Sequence, residues 1–234
     1  MKPMSRRRNG CVLAQVVGIL ALVNALAPSF SSALARAEAA KPVRIVAFGD
    51  SLSSGYDLKL SQSFPAQLEK ELKARGHDVA VTNAGVSGDT TAAALERLAW
   101  AVPEGSDAVI LELGGNDALR GIDPKQTRAN LEKLIAGLKE RRIAILLAGM
   151  RAPANWGDKY AEEFDAIFPD LAREHGLVFY PFFLEGVVLD PELNFDDGIH
   201  PSGKGIAEIV RRIVPSVEEL IARAQSQRST ASKS

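Results

Sequence analysis

A serine in the stretch FGDSLSSG (48–55) and an aspartate–histidine pair in DDGIHPS (196–202) are the residue types that acyl transfer needs. Ester cleavage by serine requires a hydroxyl, a base to take its proton and an acid to orient that base. Ser51 can supply the hydroxyl, His200 the base and Asp197 the orienting carboxylate. Imidazole titrates near neutrality, and because the acid lies three positions before the base a tight turn can join them. The reaction also needs hydrogen-bond donors aimed at the developing oxyanion. The Ser51 N–H, the Gly85 N–H and the Asn116 side-chain amide are the expected donors, with Asp50 and Asp196 in supporting hydrogen bonds. Each residue alone also fits a plainer role, such as a helix cap or a turn. Their shared chemistry favours the catalytic reading.

These residues must be held by a scaffold that brings them together. Apolar runs at 43–48, 79–83, 108–113, 143–148 and 177–180 are near-continuous in Val, Ile, Leu and Ala, the pattern of parallel strands buried on both faces. Amphipathic stretches lie between them. Leu131, Leu134, Ile135 and Leu138 form one helical stripe, Leu68 and Leu72 a shorter one, and Ile206, Ile209, Val210 and Ile213 mark the last helix. Pro215 is expected to break that helix or to start a further turn. Strand–helix alternation over 41–224 predicts a single doubly wound α/β domain, followed by a disordered polar tail at 225–234. In such sheets ligands bind beyond the carboxyl ends of the strands. Ser51, Gly85 and Asn116 each follow a predicted strand. The other two histidines do not: His77 precedes the second strand and His175 ends a helix.

Composition narrows the function classes. With 46% hydrophobic and 24% charged residues and a net charge of −1, the chain has globular values and lacks the basic excess of a nucleic-acid binder. Lys2, Arg6, Arg7 and Arg8 precede an apolar run at 16–27, and Ala33–Leu34–Ala35 and Ala37–Glu38–Ala39 offer cleavage sites. Residues 1–39 therefore read as a signal peptide cut after Ala35 or Ala39. Gln15, Asn24 and Pro28 leave the run short of the ~20 apolar residues of a spanning helix, so no stable membrane anchor is expected after cleavage. The product would be exported, periplasmic or secreted, and a monomer; the export route stays open. Cys11 is the only cysteine and lies within the signal, which excludes disulfide, thiol-nucleophile and Cys-zinc chemistry from the mature chain.

FGDSLSSGY, NAGVSGDT, LGGND and DDGIHPS, in that order, resemble the four sequence blocks of the GDSL or SGNH hydrolases, over about residues 43–215. MRAPANWGDKYAEEFDAIFPDLA and FFLEGV are similar to the exported bacterial thioesterase I, lysophospholipase and arylesterase branch. The resemblance implies a flavodoxin-like three-layer α/β/α sandwich with a parallel five-stranded sheet. It also implies a Ser51–His200–Asp197 triad without metal or cofactor, acting on a small acyl ester or thioester. The segment 151–160 is expected to wall an acyl groove through Met150, Pro153, Trp156 and Tyr160, with packing of Trp156 and Tyr160 on the following helix as the alternative. Two rival functions are a metal phosphoesterase using Asp50, Asn116, Asp197 and His200, and a non-catalytic exported ligand-binding module.

Overall fold

The structure, a computed structural model, describes residues 41–231. Its centre is a five-stranded parallel sheet: β1 (Val43–Gly49), β2 (Val79–Asn83), β3 (Ala108–Glu112), β4 (Ala144–Ala148) and β5 (Val178–Tyr180), in the order β2-β1-β3-β4-β5. The predicted runs land on these strands to within a residue at either end. β3 and β4 are buried along their whole length, as continuous aliphatic runs require. β2 is an edge strand and is buried only at Val79.

The helices are α1 (Ser51–Ser54), α2 (Phe64–Ala74), α3 (Thr91–Ala101), α4 (Gly115–Leu119), α5 (Pro124–Glu140), α6 (Asp158–Asp165), α7 (Ile167–His175) and α8 (Gly203–Ala231). α2 and α8 pack together on one face of the sheet, and α3, α5 and α7 cover the other. The fold is the expected three-layer α/β/α sandwich. The stripe on α5 is fully buried, as are Leu68 and Leu72 on α2. Glu69 and Lys73 pair at 2.6 Å on the outer face of α2.

The carboxyl end of α8 departs from expectation. Pro215 lies within the continuous helix, on its exposed side, where water can satisfy the carbonyl that loses its backbone donor. The segment 225–234, expected to be disordered, is helical through Ala231. Ala224 is buried, and the Arg228 guanidinium binds the Asp107 carboxylate at 2.6 Å and the Pro42 carbonyl at 2.8 Å, which ties the helix to the amino end of the sheet. The expected signal peptide lies outside the described residues. No helix among the described residues is long and apolar enough to cross a membrane.

Strand order decides where a site can form. From β1 the chain goes outward to β2 and then returns to the other side of β1 as β3, so the connections diverge at the carboxyl ends of β1 and β3. Ser51 lies two residues after the end of β1, and Asn116 four residues after the end of β3. Leu134 is fully buried between α5 and the sheet. Leu134→Ala is expected to lower unfolding free energy by about 2–5 kcal/mol, read from the chemical-denaturation midpoint of the purified protein.

Candidate active site

β1 ends in Gly49–Asp50, and Asp50 caps the short helix α1 by accepting the Leu52 N–H at 3.0 Å. This cap starts a helical turn on Ser51 itself and holds the serine, only 8% exposed, at the mouth of the switch point. At the other end of the chain, Asn194 bridges to Pro201, and Phe195 donates to the His200 carbonyl at 2.9 Å, closing the loop that carries the acid and the base. His200 Nε2 lies 2.9 Å from Ser51 Oγ, and His200 Nδ1 lies 2.6 Å from Asp197 Oδ2. The bond to the carboxylate assigns the proton to Nδ1, leaving Nε2 free to accept from the serine.

Asp197 also accepts the Ile199 and His200 backbone N–H groups, each at 2.9 Å. Desolvation works to raise its pKa. The bonds from the His200 backbone, the His200 ring and Ile199 outweigh it and hold the carboxyl at about 2. Tyr56 covers one face of the imidazole, ring centroids 4.3 Å apart.

Asn116 sits in the first turn of α4. Its Nδ2 donates to Asp50 Oδ2 at 3.0 Å, so the residue that caps the nucleophile turn also aims the amide. Burial raises the Asp50 carboxyl to about 6, against the lowering effects of the Leu52 and Asn116 bonds and the His200 charge. Asp117, next in sequence and fully buried, binds the Thr91 N–H at 2.8 Å and hydroxyl at 2.5 Å, and the Thr127 hydroxyl at 3.2 Å. It fastens α4 to the starts of α3 and α5.

Gly85 differs from expectation. Its N–H donates to Asn83 Oδ1 at 3.0 Å and is already engaged. A Cβ at Gly85 would collide with the backbone of Ser54 and Asp50, so this glycine allows the β2 loop to lie against α1 rather than donating to an oxyanion. Three residues on, Gly88 adopts φ +84°, and its carbonyl accepts from Arg120 of the α4 C-cap at 2.7 Å. Ser87 Oγ lies 2.9 Å from Ser54 Oγ. Gly88 thus sits between the nucleophile turn and the Asn116 helix, and among the described residues its N–H has no acceptor. The signal available in sequence was a second glycine in NAGVSGDT.

Other expected residues are distributed unevenly. Met150 is buried in the core and does not line an open groove. Pro153 precedes a 3₁₀ turn at Ala154–Trp156 and is half-buried. Trp156 Nε1 donates to the Ala118 carbonyl and Tyr160 Oη to the Ile122 carbonyl, both at 2.8 Å. These two rings therefore brace the α4–α5 connection behind Asn116. Trp156 is still 45% exposed. Asp196 is exposed and makes no hydrogen bond among the described residues, contrary to its expected supporting role. His77 lies at the amino end of β2, 3.2 Å from Glu218, and His175 closes α7; both are remote from the serine by position in the sheet.

Sequence reasoning missed Glu112, Arg97 and Tyr56. Glu112 ends β3, is fully buried and accepts from the Ser53 hydroxyl at 2.6 Å. Burial, then the neighbouring Asp50 charge, push its carboxyl well above the ordinary range. A glutamate at the end of an apolar strand was visible in the sequence but carried no partner there.

A serine, an imidazole and a carboxylate in hydrogen-bonded series, at the carboxyl end of a doubly wound sheet, define a serine hydrolase. Residues 47–207 match the GDSL-like Lipase/Acylhydrolase family, and the chain belongs to it. It is 40% identical to an arylesterase of Vibrio mimicus over 171 residues, covering 71% of this chain and 86% of that protein. It is 42% identical to thioesterase 1/protease 1/lysophospholipase L1 of Escherichia coli K12 over 168 residues, covering 71% and 78%. The crystal structure of AlinE4, an SGNH-hydrolase family esterase, superposes with a TM-score of 0.65 at 45% identity, covering 76% of this chain and 96% of that one.

The depressed Asp197 pKa fixes the sign of one pH effect. A carboxyl held below its ordinary 3.8 contributes stability that is present above that value and lost as pH falls toward about 2. The difference in unfolding free energy between the parent and Asp197→Asn is expected to be flat above about pH 5 and to close between about pH 4 and pH 2, measured by urea unfolding across that range.

Proposed function

We propose that this protein hydrolyses small carboxylic esters or thioesters through an acyl-enzyme on Ser51, with His200 as general base and acid and Asp197 as its orienting partner. The observation that carries this reading is the unbroken series Ser51 Oγ–His200 Nε2–His200 Nδ1–Asp197 Oδ2, at 2.9 and 2.6 Å. His200 Nε2 takes the Ser51 proton as Oγ adds to the substrate carbonyl. Asp197, ionised down to about pH 2, stabilises the resulting imidazolium. The tetrahedral oxyanion is held by the Ser51 and Gly88 N–H groups and by the second Nδ2 hydrogen of Asn116, whose first is anchored on Asp50. Collapse expels the alcohol or thiol, which takes the proton from Nε2. Water then repeats the sequence on the acyl-enzyme, releasing a carboxylic acid and free Ser51.

Relatives named arylesterase and thioesterase 1/lysophospholipase L1 support an acyl ester or thioester as the substrate class. The signal-like segment 1–39 supports action outside the cytoplasm. The phosphoesterase rival has its residues otherwise engaged: Asp50 binds Leu52 and Asn116, Asp197 binds His200, and His200 binds Ser51. The half-exposed ring of Trp156 is the part of the 151–160 segment best placed to touch an acyl chain.

On a p-nitrophenyl ester, Ser51→Ala is expected to lose about 10⁶-fold in kcat, by analogy with other triad knockouts. Asn116→Ala is expected to lose roughly 10²–10³-fold. Near-parental turnover by purified Ser51→Ala would sink the reading. A fluorophosphonate should label Ser51, mapped by mass spectrometry, with activity indifferent to EDTA. Trp156→Ala is expected to shift the acyl chain-length profile; identical profiles would remove Trp156 from the acyl wall.

A further inference from the structure

Arg97 projects from α3 into the interior, is only 6% exposed, and sits directly beneath the loops that carry the proposed catalytic groups. Each of its three guanidinium nitrogens donates a hydrogen bond. Nε donates to Asp89 Oδ2 at 2.6 Å, Nη1 to the Ala84 carbonyl at 2.7 Å and Nη2 to the Gly49 carbonyl at 2.8 Å. The Phe48 ring lies beneath, 4.3 Å from the guanidinium carbon. The Gly49 carbonyl also accepts the Val86 N–H at 3.1 Å, so the β1 and β2 loops meet on one oxygen under this cation.

The three acceptors are not arbitrary pieces of core backbone. Gly49 stands two residues before Ser51. Asp89 follows Gly88 directly. Ala84 is the residue at which the chain leaves β2 for the 85–90 loop. A hydrophobic side chain could fill this space without desolvating a charge. Only a planar fork can hold three acceptors in one plane, in fixed directions. The two loops have few other ties: the Val86 bond, the Ser54–Ser87 hydroxyl contact and the Asn83 side chain on the Ser54 carbonyl, the latter two on partly or fully exposed residues.

We propose that Arg97 is a positioning residue for the oxyanion hole: its guanidinium sets the Gly88 loop against the Ser51 turn so that the two backbone donors converge on one point. This rests on the reading of Gly88 and Ser51 as oxyanion donors. Arg97 touches neither substrate nor triad and acts only through the segments it holds. Misalignment by a fraction of an ångström would weaken binding of the tetrahedral species more than binding of the ground-state ester.

The test compares Arg97→Lys, Arg97→Ala and Asn116→Ala with the parent enzyme on a p-nitrophenyl ester, with a trifluoromethyl ketone as transition-state analogue and circular dichroism to measure the folded fraction. Arg97→Lys, which keeps the charge and loses the fork, is expected to lower kcat on the order of 10²-fold, as loss of one oxyanion donor does. KM should change by less than about threefold, and inhibitor affinity should fall in parallel with kcat/KM. Guanidinium at sub-denaturing concentration should restore part of kcat to Arg97→Ala. Should neither Arg97 variant fold, Asp89→Asn, which leaves the arginine in place and weakens its anchor on the Gly88 loop, should show a smaller loss of the same kind.

A folded Arg97→Lys (or, in its place, Asp89→Asn) with parental kcat and inhibitor affinity would overturn the proposal. So would a loss of activity fully accounted for by unfolded protein. Asn116→Ala separates the two levels. If it keeps full turnover, the oxyanion-hole reading falls and the proposal with it; if it loses turnover while folded Arg97→Lys does not, the clamp alone is wrong.

Discussion

The site depends on a single buried carboxylate. Asp50 caps the turn that begins on Ser51 with one oxygen and holds the Asn116 amide with the other. The turn that carries Ser51 after β1 and the Asn116 amide after β3 are thereby fixed relative to one another by a single side chain. Desolvation of Asp50 is the largest influence on its pKa and raises it to about 6, so the group is held against its own preference for water. Its bonds from Leu52 and Asn116 only partly offset that cost. A group retained under such strain is better explained by the geometry it imposes than by stability it adds.

Around this carboxylate lies a polar floor beneath an otherwise aliphatic sheet. Glu112 receives the Ser53 hydroxyl, Asp117 ties α4 to α3 and α5, and Arg97 gathers the ends of β1 and β2. Burial and the Asp50 charge favour the neutral form of Glu112, so the floor can contain several acids without stacking like charges. The strand order explains why these groups are together. At the switch point the β1–α1 and β3–α4 connections leave in opposite directions, and the opened crevice has no neighbouring strand to supply backbone partners. Side chains must therefore bridge it.

The sheet and helices were legible because their signals are local and repeated. Aliphatic runs and stripes such as Leu131–Leu134–Ile135–Leu138 report burial directly. Ser51, Asn116, Asp197 and His200 stand out as candidates in the sequence because each follows a strand or lies in a tight turn, and the fold brings them into one hydrogen-bonded cluster with Asp50. Two glycines share the 85–90 loop, and which of their N–H groups is already bonded, here Gly85 to Asn83, is set by tertiary structure rather than by local sequence. The helical end of α8 was hidden because its polar residues are anchored by Arg228 on Asp107, a contact 121 residues apart in sequence. Arg97 was invisible for the same reason: an arginine on an amphipathic helix looks like a solvated one until its acceptors are known.

The acid–base pair shows how the two halves of the site differ in construction. Asp197 and His200 share one short loop, and the side chain of Asp197 is 40% exposed, so little low-dielectric surrounding strengthens their attraction. The carboxylate is instead secured by backbone N–H groups of Ile199 and His200, whose positions are fixed by the turn itself. Such bonds do not depend on burial or on salt in the way an exposed ion pair does. The base side can therefore remain open to solvent, while the Ser51 and Asn116 side lies over the buried groups Asp50, Asp117 and Arg97. The two halves thus differ in what surrounds them: an acid–base loop open to solvent with Tyr56 against the imidazole, and a buried polar floor whose Asn116 helix is held from outside by Trp156 on the Ala118 carbonyl.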